Sequence, residues 1–395
     1  MVTDKTLELA KFTDQPFKLL PGEKVTAWAG YHEVRQKLLE LIESPRADRV
    51  GLYEFAIIHG ELGAGKSHAL RYLRYLITDK QKDEFKSIVC YVERLRVEAN
   101  TDFLALYRAI MRLIKDDLKK VGEIICQISI KEVDEAWEAA SADVKKLMKK
   151  DTFRDKTLPT VYSKLSPSYP ALPRLLTAIY DGDELASAIL LGNKAKITEV
   201  HKYGLDNGID TEYEALRCLS GFVNLCTKAD KGVPDLPIFN CFYLFIDEVE
   251  KLRDFPTKNV QSINQGIRDL VNGCPEHFCL ILGASSPAEE VEAYMEDDVM
   301  TRLSRELIEI PELDVDQAVN FIKEVIQQCR QLDANVPAAY PFTEDALKEI
   351  ALQSTRRTPR NLFRACQTVL RKAILAGSLE KKGIIDSDEV HEFLV

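Results

Sequence analysis

Gly60-Glu61-Leu62-Gly63-Ala64-Gly65-Lys66-Ser67 decides how this chain is read. The octapeptide is a glycine, four residues and then Gly-Lys-Ser, the pattern of a phosphate-binding loop. Its flanks agree. Phe55-Ala56-Ile57-Ile58 before it reads as a buried strand, and His68 to Leu76 after it reads as an amphipathic helix. Glycines let the backbone turn so that successive N–H groups face a phosphate chain. The start of the following helix adds partial positive charge. Lys66 is placed to reach the β- and γ-phosphates, the Ser67 hydroxyl to ligate Mg²⁺, and His68 to close the binding segment.

A second motif supports the first. Cys241-Phe242-Tyr243-Leu244-Phe245-Ile246 reads as a buried strand that ends in Asp247-Glu248. At the end of such a strand Asp247 is expected to hold the Mg²⁺ shell and Glu248 to polarise an attacking water.

The 395 residues leave room for more than one domain and for an ample core. A net charge of −10 excludes a globally basic nucleic-acid binder but not a local basic patch. No apolar run reaches the length that spans a bilayer, and Met1-Val2-Thr3-Asp4-Lys5 lacks the pattern of a secretory signal. The nine scattered cysteines read as reduced thiols, and the expected compartment is the cytoplasm. Cys274 and Cys279 flank His277, but no second ligand pair accompanies them, so packing is the expected role.

Outward from the two motifs, residues 1–25 read as an irregular lead-in broken by Pro16, Pro21 and Gly22. Trp28 and Tyr31 are candidates either for contact with a nucleotide base or for the core. Ile88-Val89-Cys90-Tyr91-Val92 is the next strand. A helix follows from Phe103 to Val121, with Asn100 or Thr101 as cap and Gly122 as stop. A long helical stretch then precedes the strand at Cys241, and an insertion over about residues 125–210 accounts for it. Its lysines, Lys145, Lys146, Lys149 and Lys150, alternate with acids and read as a solvated face.

Phe278 to Gly283 forms another strand, and Ser285 or Ser286 beyond it is the candidate for a polar group beside the γ-phosphate. Arg302 or Arg305, before the short strand Leu307-Ile308-Glu309-Ile310, is placed to reach a phosphate bound by a neighbouring subunit. The rest is helical. Pro359 suits a first helical turn, and Arg360 beside it sits where a cation is electrostatically disfavoured unless it faces a phosphate.

Taken in order, these elements resemble the AAA+ ATPases over about residues 25–395. The run Ile246-Asp247-Glu248-Val249-Glu250-Lys251-Leu252 is similar to the origin-recognition and Cdc6-like clade. Leu190-Leu191-Gly192 and Ala215-Leu216-Arg217-Cys218-Leu219 are similar to ATP-binding proteins of bacterial BREX-type phage-defence islands. The resemblance implies an α/β fold: a parallel five-stranded sheet with helices on both faces, a helical insertion and a C-terminal helical lid. It implies a nucleotide-binding domain over residues 26–312 and a lid over 313–395. It also implies ATP and Mg²⁺ as ligands, Ser285 or Ser286 as first sensor, Arg302 or Arg305 as finger and Arg360 as second sensor.

The expected function is ATP hydrolysis by a homo-oligomer, a ring or filament, that acts as motor or switch on DNA or on a DNA-processing partner, phage defence included. Relatives in the origin-recognition clade carry a winged-helix domain after the lid. This sequence ends at Val395, so DNA contacts without sequence specificity are expected from pore-facing loops, the insertion or a partner. The alternative is a signalling or scaffold NTPase that binds a protein through its insertion. A protein-remodelling machine ranks third, because Glu93-Arg94-Leu95-Arg96 lacks an aromatic–hydrophobic–Gly pore loop. No membrane partner is expected.

Overall fold

A computed structural model describes residues 4–19, 22, 25–46, 48–95, 101–228, 236–285, 288–291, 295, 306–331 and 335–394. Five strands form one sheet: β1 (Glu54–His59), β2 (Ile88–Val92), β3 (Phe242–Ile246), β4 (Phe278–Ala284) and β5 (Glu306–Glu309). Their spatial order is β2-β3-β4-β1-β5, and every pairing is parallel. β3, β4 and residues 55–58 of β1 are unbroken apolar runs because both faces are covered, as a parallel sheet requires.

Successive β1 residues feed opposite layers. Phe55 and Ile57 join a core with Tyr107, Leu172 and Leu219, whereas Ala56 and Ile58 join one with Leu38, Leu41, Leu70 and Leu73. The register pairs His59 with Ala284 and Ile246 with Leu282. The phosphate loop, Asp247-Glu248 and Ser285 therefore leave the sheet at one edge, beyond the carboxyl ends of the strands. That edge is where open α/β sheets bind ligands.

A long helical block lies between β2 and β3. It begins with Phe103–Leu113 and Lys115–Ala139 and ends with Glu212–Thr227. Residue 125 falls inside the second helix, so the block has no boundary there. Its leucines share the core of the sheet, which makes it a layer of the fold. Gly122 does not stop a helix. It lies within Lys115–Ala139, where a Cβ would stand 2.1 Å from the Leu176 carbonyl oxygen, so it permits a close crossing by the helix Ala171–Tyr180. The break comes at Ile114, and the cap is the Asp102 side chain, which accepts from the Ala105 N–H at 2.9 Å. Asn100 lies outside the described residues. Of the lysine cluster, Lys145 pairs with Glu138 at 3.5 Å and Lys150 with Asp134 at 2.9 Å.

The lead-in is not irregular throughout. Asp4–Leu9 is helical, and Ala10, Phe12 and Phe17 are buried among Val319, Phe342, Leu347, Leu362 and Leu370. Phe17 meets the rings of Phe342 and Phe363 at 6.2 and 5.9 Å. Burial of each phenylalanine contributes about 1.5–3 kcal/mol. Residues 10–17 thus contribute to the core of the C-terminal helical bundle, a partnership that local sequence pattern does not encode.

Candidate functional site

The phosphate loop connects β1 to the helix Lys66–Tyr75. Gly63 has φ +88°, a left-handed conformation that other residues enter at a cost of about 1–2 kcal/mol. A Cβ there would also lie 2.7 Å from Cβ of Arg360. Lys66 is 5% exposed, and its Nζ donates to the carbonyl oxygens of Gly60 and Glu61 at 2.8 and 2.9 Å. Burial lowers its pKa, and the nearby carboxylates of Glu250 and Asp247 oppose that shift. Leu62, at the tip of the loop, is 68% exposed.

Asp247 is 3% exposed and held on both oxygens. The Tyr91 hydroxyl donates to Oδ2 at 3.1 Å, and the Glu248 N–H donates to Oδ1 at 2.9 Å. Burial raises the carboxyl pKa, while hydrogen bonds from Ser67, the Glu248 backbone and Tyr91 lower it. Gly283 of β4 gives the carboxylate its space, because a Cβ there would meet Oδ1 at 2.6 Å. A hydroxyl beside a buried carboxylate is an oxygen donor set that suits Mg²⁺. Among the described residues no group of three or more His, Cys, Asp or Glu side chains could hold a metal by itself. The donor set thus fits an ion whose remaining ligands are phosphate oxygens and water.

Glu248 adopts φ 55°, ψ 39°, one of five non-glycine residues with positive φ among those described. Such conformations gather at functional sites and cost about 1–3 kcal/mol. Its half-exposed carboxylate lies 3.4 Å from Arg94 Nε. Two residues on, Glu250 Oε2 accepts the Ser285 N–H at 2.9 Å and so ties the turn after β3 to the end of β4.

Arg360 reaches the site from the C-terminal bundle. Its N–H donates to the Gly63 carbonyl at 3.3 Å, and its aliphatic stem covers Gly63. Pro359 occupies the first turn of the helix Pro359–Ala376, and Arg356 pairs with Glu61. His68 is half-buried, with Nε2 3.0 Å from the Ala27 carbonyl oxygen, and desolvation pushes its pKa down. Trp28 packs on Tyr72 and His68 at 5.2 and 6.2 Å. The strap from Ala27 to His32 is also fastened to the helix Val315–Gln328. Glu324 accepts the Gly30 N–H at 2.7 Å and meets His32 at 2.9 Å, and Gln328 donates to the Trp28 carbonyl at 2.7 Å.

The structure therefore brings together Gly60, Glu61, Gly63, Lys66, Ser67, Asp247, Glu248 and Arg360, with Ser285 joined to them through Glu250. Ser286, Arg302 and Arg305 lie outside the described residues. Tyr91, Gly283, Glu250, Glu324 and Gln328 were not expected. Only Glu250 carried a signal, as a third acid in Asp247-Glu248-Val249-Glu250.

No protein-family model matches the sequence, and no curated protein matches it. Solved structures do. The Aeropyrum pernix ORC2 protein in its ADPNP–ADP complexes matches with a TM-score of 0.51 at 11% identity, over 97% of this chain and 71% of that one. Cdc6p from Pyrobaculum aerophilum matches with a TM-score of 0.50 at 12% identity, over 93% and 68%. The chain has the AAA+ fold of these proteins. Among the described residues no helix is long and apolar enough to cross a membrane.

Proposed function

We propose that this AAA+ chain binds ATP with Mg²⁺ at the phosphate loop, hydrolyses it and uses the cycle as a switch or motor on DNA, as an ATP-dependent oligomer. One observation carries the nucleotide reading. Lys66 and Ser67 of the glycine loop are met there by Asp247 and Arg360, so three separate stretches of sequence converge on it. The ADPNP and ADP held by the Aeropyrum pernix ORC2 protein support the choice of nucleotide. In this reading the loop N–H groups and Lys66 take the β- and γ-phosphates. Ser67 and Asp247 hold the ion, which when bound draws negative charge from the phosphates. Glu248 turns from Arg94 to accept the proton of the attacking water, and Arg360 approaches the γ-phosphate from the bundle.

The narrower resemblance to phage-defence proteins rests on Leu190-Leu191-Gly192 and Ala215-Leu216-Arg217-Cys218-Leu219, of which Leu190, Ala215, Cys218 and Leu219 are fully buried and Arg217 is exposed. Packing in the core of the sheet accounts for the four buried residues.

Glu248→Gln and Lys66→Ala test the reading. Glu248→Gln is expected to bind ATP while hydrolysis falls about 10²- to 10⁴-fold. Its solution mass is expected to rise with Mg²⁺-ATP. Lys66→Ala is expected to lose nucleotide binding. Undiminished hydrolysis in Glu248→Gln removes that residue as base, and nucleotide binding retained by Lys66→Ala removes the site.

A further inference from the structure

The helix Pro359–Ala376 starts on the phosphate loop and carries an unusual charge pattern. Between residues 350 and 379 there are six basic residues, Arg356, Arg357, Arg360, Arg364, Arg371 and Lys372, and no acidic one. Acids outnumber bases in the whole chain, 63 to 53, so this stretch is a local reversal of sign.

Arg360, Arg364 and Arg371 are spaced i, i+4 and i+11, which places them within about 40° of one another around a 3.6-residue helix. Their surroundings differ. Arg356 is engaged by Glu61 and Arg357 by Glu312, and Arg360 covers Gly63. Arg364 and Arg371 are exposed, and among the described residues neither has a carboxylate within 4.0 Å. Their guanidinium groups are unneutralised forks of N–H donors, the geometry that grips phosphate bidentately.

Seven residues of helix separate the two by about 10.5 Å. Gln367 and Thr368 lie between them, so the face lacks the apolar centre that a protein interface is built around. Leu375, 77% exposed, is a single apolar residue one turn beyond Arg371.

We propose that this face of Pro359–Ala376 binds the phosphate backbone of duplex DNA without reading its sequence. The proposal rests on the reading that the protein acts on DNA, and it assigns that contact to the C-terminal bundle, not to the insertion. Because the same helix begins on the phosphate loop, a shift of its first turn with nucleotide carries Arg364 and Arg371 along as a rigid unit.

The test is fluorescence anisotropy of the full chain with a labelled 30-base-pair duplex of arbitrary sequence (length about that of three helical turns), across a salt series. Wild type is compared with Arg364→Glu/Arg371→Glu and with Lys146→Glu/Lys149→Glu on the insertion. Binding of a fluorescent ATP analogue reports that each variant is folded.

The bundle variant is expected to lose at least ~10-fold in DNA affinity at low salt, with a log–log salt slope shallower by about two. Its ATP-analogue affinity stays that of wild type, and the insertion variant keeps wild-type DNA affinity. If the bundle variant binds DNA undiminished, or the insertion variant shows the loss instead, the assignment of this face is wrong and the DNA reading stands. If wild type hydrolyses ATP and binds no duplex at low salt, the face and the DNA reading fall together, and the ATPase reading stands alone.

Discussion

At the phosphate end of the site, Lys66 bonds to carbonyl groups five and six residues before it, and Asp247 is held by its own chain neighbour and by the adjacent strand. At the strap end the partners lie far apart in sequence. Gly30 bonds Glu324 across 294 residues, Trp28 bonds Gln328 across 300, and Phe12 bridges to Arg330. The phosphate end is fixed in the buried sheet. The strap end is joined by partly exposed polar contacts, with Tyr31 packed on the Phe321 ring at 6.2 Å. Regions of the second kind open at lower free energy than buried strands. The contrast assigns chemistry to one end and movement to the other.

Tyr91→Phe should produce the largest change, because it removes the only hydroxyl outside the phosphate-loop helix that is bonded to the Asp247 carboxylate among the described residues. Partners of metal ligands are worth about 10- to 100-fold in metal affinity. The Mg²⁺ concentration for half-maximal binding of a fluorescent nucleotide should rise by that factor, and nucleotide affinity at saturating Mg²⁺ should hold. An unchanged Mg²⁺ requirement would show that Asp247 needs no help from β2, and the phosphate end would lose its claim to rigidity.

Glu324→Ala should act more weakly and elsewhere. It removes the acceptor of the Gly30 N–H and the partner of His32. One net hydrogen bond to a charged, partly exposed group contributes about 1 kcal/mol. The thermal midpoint should fall by a few degrees, and nucleotide affinity should weaken by a factor of ~5 at most. The Mg²⁺ requirement should stay at the wild-type value. A shift like that of Tyr91→Phe would mean that the two ends form one unit.

The same contrast explains what the sequence could reveal. The phosphate loop, the five strands and the helical C-terminal region were legible because each is set by residues close in sequence: glycine spacing, apolar runs, Pro359 at a helix start. Arg360 was legible because a cation at a helix start is unfavourable without an anion nearby. Tyr91 and Gly283 were not, since a tyrosine or glycine in a buried strand is ordinary until the register places it against Asp247. Gly122 was misread for a related reason. A glycine in a helix signals a stop unless a second helix crosses it, and Leu176 is 54 residues away. Phe12 and Phe17 gave no sign of their partners near residue 342, because burial has no local signature in a segment without periodicity.

His68 gives the smallest expected effect and the finest division between the two ends. It stands on the phosphate-loop helix and bonds the strap at Ala27. Burial lowers its pKa below the model-peptide value of 6.5, and the Ala27 bond opposes this only in part. In the unfolded chain the imidazole takes up a proton as pH falls through 6.5, while in the folded chain it stays neutral until the lower pKa is reached. Stability is therefore full above 6.5 and declines as pH falls from 6.5 toward the folded value. The slope from one such proton is at most about 1.4 kcal/mol per pH unit. Urea midpoints between pH 7.5 and 5.5 should fall more steeply for wild type than for His68→Gln, which keeps a donor near Ala27 and has nothing to protonate. Equal slopes would mean that water reaches His68 in the folded protein. The strap would then already stand open without nucleotide, and the movement assigned to that end would begin from the open state.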